Sequence, residues 1–348
     1  MISAHTPSSF GDLSEGKNLL WLQSGGCGGC SMSLLCAESP DIVTTLELMG
    51  VNLLWHPSLS EASNQEFQQL LQDILQDKIS LDLLCIEGAM LQGPSGSGRF
   101  HVLGGTGLPM IDWVRQLAGK AGHTLAIGSC AAFGGFDTGQ DNLTEATGLQ
   151  FEGEHKGGLL GENYQGREGL SVVNISGCPV HPSWVTETLM QLVSGQASAD
   201  TLDLYHRPKH YAEQLVHHGC PRNEYYEYKA SAEEHGHQGC MMEHLGCLGT
   251  QAHGDCNTRL WNGEGSCTRG GYACINCTAP EFEHPKHHFQ QTPKLAGIPI
   301  GLPTDMPKAW FVALASLSKA ATPPRLKDNA VSEVRIIAPT VHTKKRKT

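Results

Sequence analysis

Thirteen cysteines and eighteen histidines in 348 residues carry most of the chemistry this chain could perform. Cys27 and Cys30 in SGGCGGC, Cys130 in GSCAAFGG and Cys178 in SGCPVHP each follow a short apolar run and stand among glycines. Thiolates in such a setting suit a soft metal, because residues without Cβ let backbone amides approach a bulky inorganic cluster and donate to its sulfurs. Any one of them alone reads as a small buried cysteine at a tight turn. Four in the same setting argue for a shared site. Zinc sites of the common kind pair CxxC knuckles about 15–20 residues apart, a spacing absent here, so an iron–sulfur cluster is the better match.

The second half supplies His217, Cys220, Cys240 and Cys247 in one block and Cys256, Cys267, Cys274 and Cys277 in the next. With the first four, these make twelve candidate ligands, three sets of four. His218 stands beside His217, and spacing alone leaves the choice between them open. An imidazole in place of a thiolate removes a negative charge from a cluster and raises its potential, which suits a terminal electron port. Cys36, on a helical pattern, and Cys85, inside an apolar run, are left over and read as core residues.

The elements that must position these residues alternate. Apolar runs at 19–23, 51–55, 81–86, 124–127 and 171–175 have the length of strands buried on both faces. Between them, Phe67, Leu70, Leu71, Ile74 and Leu75 recur at helical spacing over 63–78, with Ser63 and Glu66 as a capping box. Further helices are predicted over 109–117 and 183–193. This alternation predicts an α/β fold with a doubly wound, mostly parallel sheet, in which residues just past different strands converge on one edge. After about residue 195 the periodicity fades. The stretch 217–277 packs seven Cys among Gly, His and Asn and is expected to fold around metal. An amphipathic helix is predicted over 306–319, with Trp310 and Phe311 in core or interface. The tail 325–348 has seven basic and two acidic residues and reads as a mobile extension.

Charge and hydropathy exclude other classes. The net charge of −11, or −16 without the tail, disfavours a nucleic-acid groove. The longest apolar stretch, near Trp310–Leu317, is far shorter than the ~18 residues of a membrane helix. Residues 1–17 resemble no export leader, so a cytoplasmic setting is expected, or a peripheral one at the inner face of the membrane. GPSGSGRF at 93–100 has Arg99 where a phosphate-binding loop needs Lys, and reads as a glycine-rich turn. His284, His287 and His288 read as a solvated loop. Glu87 reads as a surface or interface ion pair, with a role near the cluster region or in a proton path as the alternative.

The motifs CGGC at 27–30, EGAM at 87–90, GSCAAFGG at 128–135, GCPVHP at 177–182, HHGC at 217–220, GCMMEHLGC at 239–247 and DCNTRLWNGEGSC with CINC across 255–277 resemble the small subunit of [NiFe]-hydrogenases. The resemblance runs from Leu19 to about Ala320. It is nearest to the cytoplasmic hydrogen-sensing (regulatory) and cyanobacterial-type uptake group, through LLWLQSGGCGGC and GIPIGLPTDMPKAWFVAL. It implies a flavodoxin-like domain over 18–195 after an extension at 1–17, an irregular iron–sulfur domain over 196–324, and the basic tail 325–348. It implies a proximal cluster on Cys27, Cys30, Cys130 and Cys178, a distal cluster on His217, Cys220, Cys240 and Cys247, and a medial cluster on Cys256, Cys267, Cys274 and Cys277. Cys267 stands where many relatives have Pro and a three-iron cluster, so all three are expected to be [4Fe-4S], with [3Fe-4S] the alternative. Extra cysteines found in oxygen-tolerant relatives match Gly29 and Gly135 here. The implied partner is a large subunit holding the Ni–Fe centre, in a heterodimer or a dimer of heterodimers. An electron acceptor or a histidine kinase completes the expected partners. The rival reading is an electron carrier of a respiratory-type complex with no Ni–Fe partner.

Overall fold

The computed structural model describes residues 16–38, 40–135, 141–282, 289, 291–295, 298–299, 301 and 303–333. His284, His287, His288 and the end of the tail lie outside the described residues. Two compact units emerge. One gathers the described residues of Met1–Gln214, His253–Glu264 and Asn276–His287, the other those of Leu215–Ala252, Gly265–Ile275 and His288–Thr348.

The first unit is built on five parallel strands, β1 (Lys17–Gln23), β2 (Val51–Trp55), β3 (Leu83–Glu87), β5 (His123–Ile127) and β9 (Val173–Ile175), in the order β2-β1-β3-β5-β9. Two short ribbons flank them, β4 (Met90–Leu91) with β6 (Ala146–Thr147) and β7 (Phe151–Glu152) with β8 (His155–Lys156). Helices α1 (Gly29–Leu35), α2 (Ile42–Leu48), α3 (Asn64–Leu75), α4 (Met110–Ala118), α5 (Gly128–Phe133), α6 (Pro182–Val193) and α7 (Lys209–Ala212) complete the unit. The continuous apolar runs are explained by burial on both faces. Leu20, Leu22, Leu84, Ile86 and Ala126 enter one core with α3 and α4, while their neighbours Leu19, Trp21, Leu83, Cys85 and Leu125 enter another with α2 and α6. This is the doubly wound, flavodoxin-like fold expected, with β1 at the switch point where ligands gather.

The predicted capping box is present. The Ser63 amide donates to Glu66 Oε2 at 2.7 Å, and the Glu66 amide to Ser63 Oγ at 3.3 Å. The helix stops at Leu75, short of the predicted 78, because Asp77 turns left-handed at φ 59°. Helix α2 carried too short a pattern to be predicted; Asp41 starts it by accepting from the Thr44 amide at 2.9 Å.

The second unit has little regular structure apart from α8 (Asn223–Glu227), the ribbon β10 (Lys294–Leu295) with β11 (Ile298–Pro299), α9 (Lys308–Ala321) and α10 (Pro324–Ala330). Of the aromatic pair on α9, Phe311 is buried and Trp310 is 66% exposed. The start of the tail is no mobile extension. Leu326 and Ala330 of α10 are buried against Tyr225 and Ala230, and the Ala330 carbonyl accepts from the Gly239 amide at 2.9 Å. Apolar contact outweighs the basic composition there. No helix among the described residues is long and apolar enough to cross a membrane.

Candidate metal centres

Cys27, Cys30, Cys130 and Cys178 lie just past the carboxyl ends of β1, β5 and β9, all in the first unit. Gly28, left-handed at φ 75°, starts α1 between Cys27 and Cys30. Cys30 Sγ lies 3.5 Å from the Val180 amide, two residues after Cys178. It also packs against Gly128, two residues before Cys130, where φ is 84° and any Cβ would collide with that sulfur. Ser129 and Gly177 tie the remaining turns together, the Ser129 amide donating to the Gly177 carbonyl at 3.1 Å and the Gly177 amide to Ser129 Oγ at 3.0 Å. Burial pushes the Cys30 thiol up, and Glu87, Cys178 and Cys27 push it further. Thiols that destabilise one another's charge in a glycine-lined cradle fit a cationic metal cluster as their missing counter-charge.

Glu87, the last residue of β3, is 2% exposed and makes no ion pair among the described residues. This corrects the expectation of a surface ion pair. Its carboxylate accepts from the amides of Cys30 and Ser31, both at 3.1 Å, from Trp21 Nε1 at 3.3 Å, and from the Ser31 hydroxyl. These donors satisfy the charge and hold the first turn of α1. Ser31 Oγ also contacts Nε2 of buried His56 at 3.4 Å. The loops after β1 and β3 touch backbone to backbone, so a Cβ on Gly88 would come within 2.9 Å of Gly25.

The other first-unit features are structural. His181 is fully buried and caps α6, its Nδ1 accepting from the Ser183 amide at 3.2 Å and Nε2 facing the Arg259 carbonyl at 3.1 Å. Burial lowers its pKa to about 4, so the ring is neutral at pH 7. The 93–100 loop is a turn whose Ser95 and Gly96 amides bind Glu145, at 2.6 and 2.8 Å. Cys85 is buried in β3 as expected. Cys36 is not core: it ends α1, exposed, and its carbonyl accepts from Asn262 Nδ2 at 2.7 Å.

In the second unit, His217, Cys220, Cys240 and Cys247 come together. Burial pushes Cys240 up to about 12, with Cys247 and Cys220 adding to it, and burial raises Cys247 as well. The Cys274 amide donates to Cys247 Sγ at 3.3 Å. Arg222 faces all three thiols of this set. Its guanidinium donates to the carbonyls of Thr268, His237 and Gly239 at 3.2, 2.7 and 2.6 Å, and it makes no ion pair among the described residues. A half-buried cation without a carboxylate, beside three thiols, suits an anionic thiolate site.

The two histidines are distinguished by their hydrogen bonds. Both Nε2 atoms reach the same Asp305 Oδ2, at 3.0 Å from His217 and 3.1 Å from His218. A carboxylate only accepts, so both Nε2 atoms carry a proton, which in a neutral ring leaves the lone pair on Nδ1. His218 Nδ1 accepts from the Leu215 amide at 3.4 Å. His217 Nδ1 is buried with no hydrogen-bond partner. Only His217 has a free donor atom, which fits a metal ligand. Burial raises Asp305, but the two imidazole donors outweigh it and hold its carboxyl below the usual range. Of the remaining four cysteines, Cys256 and Cys277 belong to the first unit and Cys267 and Cys274 to the second.

Residues 27–192 match the family described as "NADH ubiquinone oxidoreductase, 20 Kd subunit", and residues 211–290 match the family of the C-terminal region of the NiFe/NiFeSe hydrogenase small subunit. The chain is 33% identical over 286 residues to the F420 non-reducing hydrogenase II small subunit of Methanosarcina mazei, covering 76% of this chain and 72% of that one. It is 30% identical over 287 residues to the periplasmic [NiFeSe] hydrogenase small subunit of Desulfomicrobium baculatum, covering 78% and 86%. Among solved structures it resembles the actinobacterial-type NiFe-hydrogenase of Ralstonia eutropha H16, with a TM-score of 0.71, 28% identity and coverage of 95% and 96%. With family matches over 27–192 and 211–290 and relatives 33% and 30% identical over about three quarters of the chain, the protein belongs to the small subunits of the NiFe hydrogenases.

Proposed function

We propose that this subunit relays electrons between a partner large subunit, where hydrogen is oxidised at the Ni–Fe centre, and an acceptor. The single observation carrying this reading is the convergence of the four cysteine turns on one sheet edge, with Cys30 wedged between Gly128 and Val180. In this reading Cys27, Cys30, Cys130 and Cys178 hold a proximal cluster, Cys256, Cys267, Cys274 and Cys277 a medial one, and His217, Cys220, Cys240 and Cys247 a distal one, each [4Fe-4S]. Iron–sulfur clusters supply one-electron transfer at these sites when bound. The residues around them hold the ligands in register: Glu87 fixes the turn bearing Cys30, and Ser129 locks the turns of Cys130 and Cys178.

Exposed Met32 and Leu35 on α1, and Phe100 and Val102 beside His101, whose Nδ1 contacts Ser24 Oγ at 3.3 Å, leave apolar surface near Cys27 for the large subunit. An obligate interface of this kind buries over ~2,000 Å². Cys36 and Cys85, the two cysteines outside the ligand sets, form no disulfide, which favours a reducing compartment such as the cytoplasm. We read the role of this complex as uptake or hydrogen sensing.

The test is to purify the tagged chain with its partner and measure nickel, iron and sulfide. About twelve irons per small subunit with co-purifying nickel support the relay. Recovery without a nickel protein supports the electron-carrier rival. Hydrogen-dependent reduction of a quinone pool marks uptake, and a hydrogen-dependent change in histidine-kinase autophosphorylation marks sensing.

A further inference from the structure

We propose that Asp305 is the positioning residue of the distal site: by holding His217 through Nε2–H, it aims the Nδ1 lone pair at the cluster. This rests on reading His217 as a ligand. Three observations carry it. Asp305 Oδ2 lies 3.0 Å from His217 Nε2, His217 Nδ1 is buried without a partner, and the neighbouring His218 is satisfied at both nitrogens. The Nε2 atoms and the carboxylate also lie close enough to hold a lone cation. The buried unsatisfied atom, however, is on the opposite side of the His217 ring, so the ring's need for a partner points inward.

A carboxylate accepting from a ligating imidazole fixes its tautomer and raises its basicity, and loss of such a partner typically costs about 10–100-fold in metal affinity. A more basic ligand donates more electron density and favours the oxidised cluster. Asp305 therefore lowers the distal potential as well as securing the ligand. His218 shares the same oxygen and keeps the carboxylate turned toward His217.

The experiment uses the complex of this chain with its large subunit and compares wild type with His217→Ala, His218→Ala, Asp305→Ala and Asp305→Asn. Three quantities are read: the nitrogen hyperfine coupling of the distal cluster by pulsed electron paramagnetic resonance, its midpoint potential by redox titration, and iron loss to a chelator. His217→Ala should abolish the coupling and His218→Ala should preserve it. Asp305→Ala should speed distal iron loss about tenfold or more and raise the potential. Asp305→Asn keeps an acceptor but not the charge, so it should restore retention while leaving the potential raised. If His217→Ala abolishes the coupling but both Asp305 variants match wild type in all three readouts, the positioning role is overturned and the ligand stands. If iron retention falls without any shift of potential in either Asp305 variant, Asp305 is merely structural and the proposal fails. If the coupling survives His217→Ala, the ligand reading itself is wrong.

Discussion

Glu87 and Cys30 are 57 residues apart, yet the carboxylate of one accepts the amide proton of the other at 3.1 Å in a buried site. The end of β3 thereby fixes the helix that carries Cys30, a proposed cluster ligand. Replacing Glu87 with Gln puts an amide NH₂ among N–H and O–H donors and leaves buried groups unpaired, at about 1–3 kcal/mol each. Glu87→Gln is expected to lower the midpoint of chemical unfolding and to reduce iron content. A variant with wild-type values in both would show that the contact contributes nothing.

Gly128 and Gly50 both sit at positive φ, 84° and 63°, but only Gly128 faces a sulfur, while a Cβ on Gly50 meets nothing within 4 Å. Gly50→Ala should cost about 1–2 kcal/mol of backbone strain and keep its iron. Gly128→Ala should lose the proposed proximal cluster, about a third of the iron if three clusters are bound. Equal iron in the two variants would contradict the cradle.

The buried neutral state of His181 predicts acid sensitivity. Its pKa falls from the ordinary 6.5 to about 4 on folding, so protons favour the unfolded chain. Its contribution is full above pH 6.5 and is lost as pH falls from 6.5 toward 4, about 3 kcal/mol in all. Unfolding midpoints at pH 7.5, 6 and 5 should decline, and His181→Asn, which retains a helix cap, should flatten that decline.

Cys36 and Cys85 should separate under alkylation. Iodoacetamide applied to the native complex should label exposed Cys36 and spare Cys85, which is 0% exposed and whose thiol burial pushes well up. Mass spectrometry of the two peptides decides it, and the reverse pattern would refute the structure around α1 and β3.

Leu326 on α10 is 0% exposed. Leu326→Ala should destabilise the second unit by about 2–5 kcal/mol and open the chain near Arg325 to trypsin. Unchanged proteolysis would return the tail to the status of a loose extension.

Strands buried on both faces are legible from unbroken apolar runs such as Leu19–Leu22 and Leu83–Ile86, and the Ser63–Glu66 box because its partners are three residues apart. The cysteine turns were legible from their glycines. Glu87 was not, since its partners are backbone amides that any sequence possesses, brought to it only by the pairing of β1 with β3. Asp305 likewise acquires meaning only when 88 residues of chain fold back to His217. Cys36 and the start of the tail, at Leu326 and Ala330, were misread because composition registers polarity but not the surface an element meets.

The Ser95–Gly96 turn behaves as a receptor whose ligand is tethered. Glu145 reaches its two amides intramolecularly, so its effective concentration is on the order of millimolar, and a free phosphate must exceed that to displace it. A loop that resembles a nucleotide cradle is thus self-quenched, and its glycines serve the closure of a chain segment rather than the capture of a metabolite.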